Sequence, residues 1–294
     1  MSLLKVDQLV KTFGDFSLGP MTLSLEEGFS LALVGANGAG KTTLFRTIME
    51  TLRRQQGSIA IAGIDHNSES ANWKQLVGYV GDYTPLFNNW TGHKNLAVYS
   101  RFYSKWNQQL AFDIAKKLNV DLDKKIKAYS TGQRTKFAII LALVHQPRLL
   151  ILDEPTTGLD PVSRDTFMEL LFEFMTDEQV GLMYATHHIA EVEQLADRLV
   201  FISEGQVICN EIKEDLAQKW RRVAYRSEYP PANIPHYISQ KGEHPYYELI
   251  SDNGDVDMQF LNDAGATDIT GSRLSIEKIT VEILKNTAKE INHV

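Results

Sequence analysis

Gly35, Gly40, Lys41 and Thr42 stand at the spacing G-x-x-x-x-G-K-[ST] inside the stretch GANGAGKTT. Each residue type has a chemical reason to be there. Glycine admits φ > 0, so successive backbone N–H groups across Gly35, Ala36, Asn37, Gly38, Ala39 and Gly40 can point inward at a phosphate. LFRTIMETLRR, with apolar residues at helical spacing, follows Thr42 and Thr43, and the N-terminus of that helix adds partial positive charge. The Lys41 ammonium reaches β- and γ-phosphates, and the Thr42 hydroxyl can ligate Mg²⁺.

A second cluster is acidic. LLILDEP puts Asp153 and Glu154 where an apolar run gives out. In open α/β sheets ligands sit at the carboxyl ends of the strands. Asp153 can hold Mg²⁺, and Glu154 can polarise a water for in-line attack on phosphorus. Taken alone, solvated acids at a strand end are equally ordinary; beside a phosphate loop the catalytic reading prevails.

These groups need a sheet to hold them. FSLALV (29–34) is a short apolar run that reads as a buried parallel strand, and the phosphate loop and an amphipathic helix follow it. LVGYV (76–80), RLLILDE (148–154) and VGLMYATHH (180–188) read as further strands, and LVFISEGQVI (199–208) as a hairpin turning at Glu204-Gly205. Between 91 and 146 the period becomes helical. Leu96, Tyr99 and Phe102 share one face, Leu110, Ile114 and Leu118 another, and Phe137, Ile140, Leu141 and Val144 a third. Thr91 is positioned to cap the first of these helices. Past 214 the character changes. YPPANIPHY (229–237) reads as loop, YYELI and DMQFL as short strands, and 275–291 as an amphipathic helix capped by Ser275.

The 294 residues carry a formal charge of −7, which disfavours general binding of nucleic acid. One cysteine, Cys209, forbids an internal disulfide and reads as a small buried apolar residue. The N-terminus shows no signal-peptide pattern, and the longest apolar run, FAIILALV (137–144), is far too short to span a bilayer. The expectation is a soluble chain; any membrane part comes from another subunit.

GANGAGKTT, YSTGQ, LLILDEPTTGLD and THH occur in an order and spacing that resemble the ATP-binding cassette of ABC transporters, over about residues 3 to 210. The chain is most similar to ATP-binding subunits of bacterial bacitracin- or sodium-export type. The resemblance implies an α/β P-loop ATPase core over 1–215, with a helical subdomain at about 85–146, and a small α+β appendage over 216–294. It implies ATP and Mg²⁺ as ligands, and a homodimer or a heterodimer with a paralogue. A membrane permease would dock near 83–95, on the cytoplasmic face. YSTGQ then corresponds to the signature motif: Ser130 and Gly132 would face the γ-phosphate of ATP held by the partner chain, while Ser130 also caps a helix. Phe13 matches the aromatic that stacks on adenine, His187 the histidine that contacts the γ-phosphate, and Asp160 the loop that crosses the dimer interface. His188 is a neighbour without a phosphate contact.

One departure stands out. Asp82 occupies the place of the family's usual Gln; a carboxylate near phosphates is repelled unless Mg²⁺ intervenes, so Asp82 either touches the metal or no longer reaches the site. PLFNNW (85–90) is rich in aromatics for a loop and fits either a docking surface or packing under the helical subdomain. Two other readings remain: a non-transport ABC ATPase acting on ribosomes or DNA, and a regulatory module that binds ATP without turnover.

Overall fold

The computed structural model describes residues 2–67, 71–81, 84–177 and 179–291. Asp82 lies outside them. The chain divides into two compact units, Met1–Ala196 with Ile202–Val207, and Asp197–Phe201 with Ile208–Val294.

In the first unit the chain runs through β1 (Ser2–Phe13), β2 (Phe16–Glu26), β3 (Ser30–Val34), α1 (Lys41–Ile48), β4 (Gln56–Ile61), β5 (Ile64–Asp65) and β6 (Val77–Val80). It continues through α2 (Gly92–Tyr99), α3 (Gln108–Lys117), α4 (Thr131–Leu143), β7 (Leu149–Asp153), α5 (Pro161–Asp177), β8 (Gly181–Ala185) and α6 (Ile189–Leu195). The hairpin strands β9 (Arg198–Ser203) and β10 (Gln206–Ile212) follow; their turn-side residues, Ile202–Val207, belong to the first unit and the rest to the second. Their turn, Glu204-Gly205, has both residues at positive φ (47° and 77°), as a two-residue hairpin loop requires.

Two sheet types arise from two patterns. β1 and β2 alternate, burying Leu4, Val6 and Leu9 and Leu18, Met21, Leu23 and Leu25; they pair antiparallel in a sheet ordered β2-β1-β4-β5. β3, β7 and β8 are buried at every residue and pair in parallel, β3 with β8 and β8 with β7, while β6 flanks β7. Continuous apolar runs of this kind are what strands covered on both faces require. The register sets Asp153 beside Ala185, so the loops after β7 and β8 emerge together.

The helical segment follows the expected faces with one exception. Thr91 caps α2 by accepting a hydrogen bond from the Lys94 N–H at 3.3 Å. Leu96, Ile114, Leu118, Phe137 and Ile140 are buried. Phe102 is 67% exposed, because α2 ends at Tyr99 and the turn after it carries Phe102 off the apolar face. No helix among the described residues is long and apolar enough to cross a membrane.

The second unit adds α7 (Lys213–Lys219), β11 (Arg221–Arg226), β12 (Tyr237–Glu243), β13 (Tyr246–Ser251), α8 (Gly254–Asp263), β14 (Thr267–Arg273) and α9 (Ile276–Ile291). Its antiparallel sheet is ordered β12-β13-β11-β14. Val223, Tyr225, Leu249 and Leu261 form the core of this unit. DMQFL (257–261), expected as a strand, lies inside α8. Val256, Met258 and Phe260 alternate as in a strand, but Met258 and Leu261, three apart, both meet the core. Asp255 and Asp257 in the first turn favour the helix N-terminus. Ser275 caps α9 through the Lys278 N–H at 3.2 Å. Cys209 is only half-buried, and its thiol is pushed up to about 11 by burial first and by Glu211 second.

Candidate functional site

The phosphate-type loop links β3 to α1. Gly38 (φ 81°) and Gly40 (φ 110°) hold the left-handed conformations that bend the backbone into a concave turn. Gly35 is glycine for a different reason: a Cβ there would lie 2.3 Å from the Ile202 carbonyl oxygen. The loop is braced by the Ala39 N–H donating to the Ala36 carbonyl at 3.1 Å and by the Gly205 N–H donating to the Ala39 carbonyl at 2.9 Å. Asn37 is exposed at its tip, and Thr42 and Thr43 lie in the first turn of α1. Lys41 is buried, and its ammonium donates to the carbonyls of Gly35 at 2.7 Å and Ala36 at 3.1 Å. Burial lowers its pKa, and the Glu154 and Asp153 carboxylates act in opposition. The phosphate loop and the acidic pair thus share one electrostatic environment.

Asp153 ends β7 and is buried. Glu154 turns the chain out of the sheet at φ 52°, a left-handed conformation rare for a non-glycine residue, and its N–H donates to the Ala185 carbonyl at 2.9 Å. Two residues beyond β8, His187 Nε2 lies 2.6 Å from Glu154 Oε1. The Thr157 hydroxyl reaches the other Glu154 oxygen at 3.4 Å. His188 starts α6, and its N–H donates to the Thr186 hydroxyl at 3.0 Å. A carboxylate touching an imidazole beside a buried ammonium can accept a proton from water and keep it oriented.

The YSTGQ segment opens α4 as a full capping box. The Gln133 N–H donates to Ser130 Oγ, and the Ser130 N–H to Gln133 Oε1, both at 3.2 Å. Gly132 sits against the turn after β7: a Cβ there would lie 2.5 Å from the Gly158 carbonyl oxygen. Asp160 caps α5, accepting from the Ser163 N–H at 3.0 Å and from its hydroxyl at 2.5 Å, and these bonds hold its carboxyl down at about 2. Lys136 of α4 lies 3.5 Å from Asp160. A cavity of about 420 Å³ is lined by Asp153, Glu154 and Thr157 on one side and by Thr131, Arg134 and Thr135 on the other.

Phe13, at the end of β1, is 42% exposed, with Lys11 Nζ 4.8 Å from its ring centroid. Phe87 and Trp90 are 45% and 40% exposed and stack on each other at 4.6 Å. Buried Asn95 ties this loop down, accepting from the Phe87 N–H at 2.9 Å and donating to its carbonyl at 3.2 Å.

Sequence reasoning passed over Glu191. Its carboxylate is buried, accepting from the hydroxyls of Thr156 at 2.8 Å and Thr186 at 2.6 Å. In HHIAEVEQL it has the look of a solvated acid in a first helical turn, and only the buried neighbours around it mark it out.

A family model described as ABC transporter matches residues 18–157. The uncharacterized ABC transporter ATP-binding protein YdbJ of Bacillus subtilis is 33% identical over 208 residues, 70% of this chain and 68% of its own length. The linearmycin resistance ATP-binding protein LnrL of the same organism is 32% identical over 223 residues, 74% and 71% of the two chains. In fold, the chain is similar to a dimeric ATP-binding cassette in a post-hydrolysis state bound to ADP and Pi. That match has a TM-score of 0.63 at 21% identity and covers 71% of this chain and 98% of that one.

Proposed function

The chain belongs to the ABC transporter family of ATP-binding proteins, whose general activity is ATP hydrolysis, and from that membership we propose that it is the ATP-hydrolysing subunit of a bacterial exporter. Two copies, or one copy and a paralogue, sandwich two ATP molecules head to tail. Closure and reopening of that dimer drive a separate permease. Residues 1–215 carry the ATPase, with its helical subdomain at about 85–146, and residues 216–294 form an accessory domain.

The observation that carries this reading is the Glu154–His187 contact of 2.6 Å, beside a buried lysine whose electrostatics both acids share. The loop from Gly35 to Thr43 wraps the phosphates, and the Lys41 ammonium moves from its carbonyl partners to the β- and γ-phosphates. Glu154 takes a proton from water as the water oxygen bonds to the γ-phosphorus. The β–γ phosphoanhydride breaks, and its bridging oxygen leaves with ADP. His187 steadies Glu154 and meets the γ-phosphate. Thr42 and Asp153 offer the hard oxygen donors that Mg²⁺ takes alongside substrate phosphates, and the ion supplies charge neutralisation there. Phe13 stacks on adenine. Ser130 and Gly132 meet the ATP of the opposite protomer, and Asp160 lies at the crossing loop. The exposed Phe87–Trp90 stack suits an apolar permease helix docking near 83–95, which sets the chain on the inner face of the cell membrane.

The test is twofold. The wild-type chain, alone or with its permease, is expected to release phosphate from Mg-ATP. Glu154→Gln is expected to dimerise only with Mg-ATP, read by light scattering on a sizing column. No phosphate release in either setting overturns the enzyme reading. A Glu154→Gln chain that stays monomeric at saturating Mg-ATP overturns the homodimer and leaves the paralogue.

A further inference from the structure

The base and the histidine leave the sheet on two separate loops, yet they meet at 2.6 Å. Something must hold those loops in register, and one buried side chain spans both. Glu191, in the first turn of α6, is 5% exposed. Its Oε1 accepts from Thr156 Oγ1 at 2.8 Å, two residues past Glu154. Its Oε2 accepts from Thr186 Oγ1 at 2.6 Å, the residue before His187. A carboxylate has no proton to give, so both hydroxyls must donate to it. That fixes the Thr186 oxygen as the acceptor for the His188 N–H at 3.0 Å, and the backbone on both sides of His187 is held. The Tyr184 hydroxyl donates to the Glu191 carbonyl at 3.3 Å. Arg164 of α5 brings its Nε to 4.0 Å from Oε1, the cation nearest this buried charge.

We infer that Glu191 is a positioning residue for ATP hydrolysis: its carboxylate fastens the Glu154 loop to the His187 loop and so sets the Glu154–His187 contact. The inference rests on the catalytic reading of Glu154 and His187 given above. In this role Glu191 acts through the two threonines. Glu191→Gln keeps the shape but turns one oxygen into an N–H donor. One threonine hydroxyl must then turn about and accept from that N–H, so one of the two charge-assisted links is exchanged for a weaker neutral one and the loop it holds shifts.

Steady-state phosphate release and calorimetric ATP binding test this on wild type, Glu191→Gln, Thr186→Val, Thr186→Ser, Glu154→Gln and the double variant Glu154→Gln/Glu191→Gln. A misplacement of about 1 Å costs on the order of 10²-fold in rate, so kcat of Glu191→Gln is expected to fall about 10- to 100-fold. KM and ATP affinity stay within about threefold, since the phosphate loop is untouched. Thr186→Val loses rate in the same way, and Thr186→Ser, which keeps the donating hydroxyl, recovers most of it. The double variant is no slower than Glu154→Gln alone, because both changes act on one group. A Glu191→Gln chain with wild-type kcat overturns the proposal. So does a loss of kcat in parallel with ATP affinity that Thr186→Ser shares with Thr186→Val, which marks general damage. If Glu154→Gln itself keeps the wild-type rate, the assignment of the base fails instead, whatever Glu191 does.

Discussion

His187 Nε2 and Glu154 Oε1 lie 2.6 Å apart although their residues leave the sheet from different strands, β8 and β7. The contact makes the two side chains one unit, so their removals do not add. Glu154→Gln is expected to lower turnover by about 10²–10⁴-fold. His187→Ala lowers it as well, and the double variant is no slower than Glu154→Gln. Phosphate release from Mg-ATP reads all three; a double variant slower by the product of the two single effects would separate their roles.

Lys41 is bonded to the Gly35 and Ala36 carbonyls, and the proposed function has it exchange them for phosphate oxygens when ATP binds. A hydrogen bond to a charged group contributes about 1.5–3 kcal/mol, so Lys41→Ala is expected to weaken ATP by about 10- to 100-fold or more. Calorimetric titration checks this. Unchanged affinity would remove the GANGAGKTT loop from the nucleotide site.

Ser130 and Gly132 are separable. Ser130→Ala loses a helix cap, at a cost of about 1 kcal/mol of stability, and leaves ATP affinity of the isolated subunit intact. ATP-driven dimerisation weakens. Gly132→Ala adds a Cβ 2.5 Å from the Gly158 carbonyl, which forces the start of α4 away from the turn after β7. It is expected to melt earlier than Ser130→Ala in thermal denaturation and to lose turnover as well as dimerisation.

His66 gives the fold an acid limb. Its ring is fully buried, stacks on Trp73 at 4.0 Å, and has its pKa lowered from 6.5 to about 4, by burial first and against the pull of Glu50. The folded state therefore disfavours protonation that the unfolded chain accepts. Stability falls as pH drops from about 6.5 to about 4 and levels off below, by at most on the order of 3 kcal/mol. Denaturant titrations across that range check it. His66→Phe keeps a ring on Trp73, and this part of the slope is expected to vanish.

The α/β fold was legible because fully buried parallel strands and half-buried antiparallel ones write different patterns. β3, β7 and β8 are unbroken apolar runs, whereas β1 and β2 alternate. The loop from Gly35 to Thr43 was legible because two physical demands fix glycine there, a positive φ at Gly40 and a close backbone approach at Gly35. Other features depend on contacts distant in sequence. Glu191 looks like an ordinary acid until Thr156, 35 positions away, closes over it. Met258 and Phe260 alternate like strand residues, yet in the second unit they lie in a helix whose core-facing pair is Met258 and Leu261. Phe102 continues the apolar spacing of α2 past the point where that helix stops.

Glu154 stands at φ 52°, where a side chain with a Cβ is held at a cost of roughly 1–2 kcal/mol. Asn tolerates that conformation better than Glu does. Selection for heat resistance alone would therefore draw position 154 toward Asn and, with Glu154 as the proposed base, produce a sturdier chain that no longer turns over ATP. A thermostabilised form of this protein has to find its added stability away from residue 154, because the strained turn and the proposed catalytic base are the same residue.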